Sequence, residues 1–103
     1  MNNQYETLLE AINGLAEKGY THNFEINSEG FLHEINGGDF HHNEVILNEF
    51  HRFEGMNSPS DSSILYVLET KEGLKGTVVD AYGADGSEKV SDFIWKIEQS
   101  KRQ

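Results

Sequence analysis

Between residues 4 and 18 apolar side chains return every three or four positions: Tyr5, Leu8, Leu9, Ile12, Leu15 and Ala16. That spacing lines one side of an α-helix and predicts that the stripe, Leu9 and Ile12 included, is turned inward. Asn3 with Glu6 three residues on has the form of a capping box. Gly19 is the expected stop, since glycine tolerates the left-handed conformation that ends helices.

The period then shortens to two. Phe24-Glu25-Ile26 and Phe31-Leu32-His33-Glu34-Ile35 flank Ser28-Glu29-Gly30, and residues 63–70 and 74–82 flank Lys71-Glu72-Gly73. A short connection ending in Gly is the chemistry of a type I turn closed by a glycine bulge, so two hairpins are expected. In that register Glu25 faces His33 and Glu69 faces Lys75. Residues 45–54 read as a further strand whose alternation slips at Asn48-Glu49, the mark of a bulge. Ile64-Leu65-Tyr66-Val67-Leu68 is apolar on both faces and should be covered on both. Helical spacing returns at Val90, Phe93, Ile94 and Ile97, with Asp85 or Ser87 as N-cap and Asp92 four residues before Lys96. The expected fold is one α+β domain over residues 1–103, in the order α-β-β-β-β-β-α. It would be a two-layer structure: a mainly antiparallel sheet of about five strands, with the N-terminal and C-terminal helices packed on one face.

Composition narrows the function more than it names one. The 103 residues carry 18 acidic and 8 basic side chains, a net charge of −10, and residues 1–60 hold ten acids against Lys18 and Arg52. Such a field repels phosphate backbones and anionic lipid, so neither nucleic acid nor membrane is an expected partner. No cysteine is present, which removes disulfides and thiolate chemistry. Met1-Asn2-Asn3-Gln4-Tyr5 and the residues after it lack the basic start and apolar run of a signal peptide, so a cytoplasmic location is the expectation.

Candidate chemistry lies in three places. Asp39, His41 and His42 form the densest metal-directed set, but adjacent residues of an extended chain point opposite ways and no thiolate completes a site, so no metal and no cofactor is expected. The turn around Gly83-Ala84-Asp85-Gly86, between a strand and a helix, has a phosphate-cradle outline. Its own acids, Asp85 and Glu88, oppose an anion there. Arg52, Asp61 and Asp80 are polar residues beside apolar strands. Arg52 has two readings: a partly buried guanidinium held by Asp80, Glu54 or Glu49, or an anion-reading fork with Asp80 beside it.

Three stretches carry a resemblance: Tyr5-Glu6-Thr7-Leu8 through Gly19-Tyr20-Thr21; Arg52-Phe53-Glu54-Gly55-Met56 with Asp61-Ser62-Ser63-Ile64-Leu65-Tyr66; and Gly73-Leu74-Lys75-Gly76 with Val79-Asp80-Ala81-Tyr82-Gly83. Together they resemble a family of short bacterial proteins of about this length without an established function, some of which are labelled phosphoribosylpyrophosphate synthetase. The label implies nucleotide or sugar-phosphate handling. In its sugar-phosphate loop such a synthetase has two acids after an apolar strand and then a Thr- and Gly-rich turn, whereas here Asp80 is followed by Ala81. The leading expectation is a small acidic, non-catalytic module that binds a protein or small ligand through its sheet face or the loop at residues 55–62, as a monomer or weak homodimer. Sugar-phosphate handling is the alternative.

Overall fold

The computed structural model describes residues 7–35, 37–53, 63–81 and 88–101. Helix α1 (Leu8–Glu17) leads into strands β1 (His22–Ile26), β2 (Leu32–Glu34) and β3 (Asp39–Phe40). A 3-10 helix at His42–Glu44 precedes strands β4 (Val45–Phe53), β5 (Ser63–Thr70) and β6 (Lys75–Ala81), and helix α2 (Glu88–Lys101) closes the chain. The strands make one sheet in the order β3-β2-β1-β6-β5-β4, antiparallel throughout except where β1 runs parallel to β6. The α+β class, the outer helices and the mainly antiparallel sheet are as the sequence leads one to expect. No helix among the described residues is long and apolar enough to cross a membrane.

Local chemistry explains the elements. The helix begins with Thr7, whose hydroxyl accepts from the Glu10 N–H at 3.1 Å while the Glu10 carboxylate accepts from the Thr7 N–H at 3.3 Å. The capping box is therefore Thr7–Glu10; Asn3 and Glu6 lie outside the described residues. At the other end Gly19 has φ +104°, and Gly19 and Tyr20 donate to Ala16 and Leu15 in a Schellman arrangement that satisfies two terminal carbonyls. Gly30 and Gly73 sit at φ +85° and +98°, closing both hairpins as bulged turns. Glu25 pairs with His33 and Glu69 with Lys75. The β4 register shifts between Leu47 and Glu49, which places the bulge at Asn48.

Two features differ from expectation. The described residues form six strands, because Asp39–Phe40 pairs with β2 where a loop was expected. The layering also differs. Helix α1 buries Ala11 and Leu15 against Leu65 and Val67. Helix α2 buries Val90, Phe93 and Ile97 against Leu68, Val78, Phe24, Leu32, Phe40, Val45 and Leu47. Leu65 and Val67 alternate with Leu68 along β5, so the helices lie on opposite faces and the fold has three layers. The doubly apolar β5 is what this requires: each face of that strand meets its own helix. Leu9 is correspondingly 67% exposed, a correction to its expected burial, since the inward stripe of α1 narrows to Ala11 and Leu15 with Leu8 and Ile12 beside them.

Candidate functional site

Among the described residues, α1 covers the β4–β5 side of its face of the sheet and leaves that face open over β1, β2 and β3, where Asn23, Glu25 and Asp39 are exposed. Phe24, Leu32 and Phe40 point into the core under α2, so their neighbours Glu25, His33 and Asp39 point to the open face. Pairing sets these three side by side in one row: Asp39 opposite His33, and His33 opposite Glu25. Asn23 shares the face, and Ile35, in the turn one residue beyond β2, is 61% exposed.

The row is held in place by a chain of hydrogen bonds. Asn27 Oδ1 accepts from the backbone N–H groups of Glu29 and Phe31, both at 3.0 Å, which locks the side chain in an Asx-type turn. Its Nδ2 donates to Asp39 Oδ2 at 3.2 Å, and Asp39 Oδ1 meets His33 Nδ1 at 2.7 Å. A carboxylate only accepts, so His33 Nδ1 carries a proton. In the neutral ring Nε2 is then an acceptor. Beside it stand the carboxylates of Asp39 and Glu25, so the face offers acceptors and negative charge, with Ile35 as an apolar neighbour. That set suits a guanidinium or ammonium group, which brings only donors. A His–Asp pair is also the base half of a nucleophilic site, but among the described residues no hydroxyl is bonded to His33.

Two other histidines meet carboxylates in closed surroundings. His51 Nε2 lies 2.6 Å from Glu49 Oε1, with His51 only 3% exposed on the α1 face beside Phe53. His22 Nδ1 is 3.7 Å from Glu34 Oε1, and Glu34 is buried.

The metal-directed set does not assemble. The Asp39 carboxylate bonds His33 and Asn27 and does not join His41 and His42. His41 and His42 do come together, with ring centroids 4.1 Å apart, because the chain passes from extended backbone at His41 into the 3-10 helix at His42. Bringing the two rings together takes a bend in the chain, and the 3-10 helix supplies it. His41 Nδ1 accepts from the Asn43 N–H at 3.4 Å, whereas a ligating histidine donates from its second nitrogen. Among the described residues no three His, Asp or Glu side chains are placed to hold a metal ion.

Arg52 and Asp80 lie on the α2 face, opposite the same residue, Ile64, from its two sides. Arg52 is exposed where partial burial was expected, because it lies on β4 at the sheet's edge. Glu49 cannot be its partner, since the bulge turns Glu49 to the other face with His51. Asp61, Glu54, the loop at 55–62 and the turn at 82–87 lie outside the described residues.

No family model, curated protein or solved structure matches the chain.

The placing of Asp39, His33 and Glu25 in one row is what the sequence alone does not show. The Glu25–His33 pair follows from the turn at Gly30, but Asp39 joins it only once β3 is recognised as a strand, and a two-residue strand has no periodicity to find. Asn27 carried the one available signal, an Asx residue opening a turn.

Proposed function

We propose that the protein is a non-catalytic binding module that takes a cationic, donor-rich segment of a protein partner on the open face around Glu25, His33 and Asp39. The observation that carries this reading is the 2.7 Å contact between Asp39 and His33 in a row with Glu25, which gathers two carboxylates on one face. The net charge of −10 supports it, because a basic partner is drawn in by the long-range field before any contact forms. Ile35 gives such a segment an apolar contact next to the charged one. We place the module in the cytoplasm.

The test is the affinity of wild type and Asp39→Asn for a short arginine-containing peptide. Asp39→Asn should weaken binding by about tenfold or more, the loss of ~1.4 kcal/mol expected when a charged hydrogen-bonding group is neutralised. Equal affinities would remove the reading. A sugar phosphate or nucleotide that binds instead, with Arg52 and Asp80 responding, would favour the second reading. That reading draws its support from the register that puts those two side chains on one face.

A further inference from the structure

The open face does not involve His41 and His42, which lie where the 3-10 helix meets α2. Their rings are tilted by 38° at a centroid separation of 4.1 Å, and His41 in turn leans on Phe31 at 5.9 Å. His42 Nδ1 is buried and has no hydrogen-bond partner. The 3-10 helix packs against α2, the element whose Val90, Phe93 and Ile97 close the core on that face.

We propose that the His41–His42 pair is an acid-sensitive latch between the 3-10 helix and α2, seated while both rings are neutral and released when they gain charge. The charged groups around it set the direction. His41, tilted against His42, and Lys96 on α2 are both unfavourable to a charged His42. Asp92, also on α2, favours the charge, but it is already paired with Lys96 at 3.1 Å. Glu44 directs its carboxylate to the His41 backbone N–H at 3.2 Å, and the Glu44 carbonyl accepts from the Lys71 N–H on the neighbouring hairpin turn. Burial adds to these terms, and the His42 imidazole is held below its ordinary value with burial as the largest cause. A proton on Nδ1 would be a buried donor without an acceptor, directly over a second imidazole. Neutral rings have neither problem.

The experiment follows amide hydrogen exchange along α2, with the histidine ring carbons as reporters of titration, from about pH 7.5 to about pH 5, a window that leaves most carboxylates charged. In wild type His42 should titrate below the ordinary imidazole range, and exchange around Asp92 and Lys96 should accelerate several-fold as it does so. His42→Phe keeps an aromatic ring that cannot charge, so its α2 protection should change less over the same window. His41→Gln removes the stacked partner and should raise the pH at which His42 titrates; it serves equally if His42→Phe does not fold. A His42 that titrates in or above the ordinary range, or an acceleration in α2 as large in His42→Phe as in wild type, would overturn the latch.

Discussion

Gly76 lies so close to His22 that a Cβ at position 76 would overlap the His22 carbonyl and come within 2.7 Å of the Phe24 ring. This contact is where β6 meets β1, the parallel pairing among the described strands, and it joins the β1–β3 side to the β4–β6 side. Backbone cannot yield as a flexible side chain would. Gly76→Ala is therefore expected to destabilise the protein by roughly 1–3 kcal/mol or more, as overpacking does, in chemical denaturation. A change within ~0.5 kcal/mol would show that the two sides are not in such close contact.

Helix α1 offers a paired test of the layering. Leu15 is fully buried against Leu65 and Val67, while Leu9 on the same helix is exposed. Leu15→Ala should cost about 2–5 kcal/mol, and Leu9→Ala no more than ~0.5 kcal/mol. Similar losses at both positions would mean that the helix is seated on a different stripe.

Much of this was legible from the chain. Gly30 and Gly73 announced both turns, and once a turn is fixed the register of its hairpin follows, which is why Glu25–His33 and Glu69–Lys75 came out correctly. The broken alternation at Asn48 marked the bulge because a period of two cannot be interrupted without a structural cause. What remained hidden was set by distant partners. Nothing near His22 or Gly76 signals that they meet, since parallel pairing joins strands far apart in sequence. The doubly apolar β5 required cover on both faces, but only the packed structure shows that α1 supplies one and α2 the other. Asp39 read as part of a histidine-rich loop for the same reason: its partner is decided by β3 pairing with β2.

Exposure now fixes the energetic weight of Arg52. A solvent-facing guanidinium contributes little to folding whatever it touches, because water and salt screen it. Arg52→Met should cost at most about 1 kcal/mol. A loss of ~3 kcal/mol or more in the same denaturation experiment would instead signal a desolvated pair.

Acid should weaken the fold through His42. Its folded value is lowered, so the unfolded chain binds the proton first. The stability supplied by the neutral ring is complete above the ordinary value of 6.5, declines as the pH falls below it, and levels off beneath the folded value. Thermal unfolding at about pH 7.5 and about pH 5.5 should show a larger drop for wild type than for His42→Phe. Equal drops would contradict a role for His42 in the acid response.

We propose that the sheet face beside α1, over β1, β2 and β3, receives a cation. The most direct test is an amide and imidazole chemical-shift map recorded while an arginine-containing peptide is added to the full chain. Asn23, Glu25, His33, Ile35 and Asp39 should move together, the His33 Nε2 resonance should move with them, and the pattern should collapse in Asp39→Asn. Shifts scattered over the acidic surface without a focus on that row, or centred on Arg52 and Asp80, would contradict it.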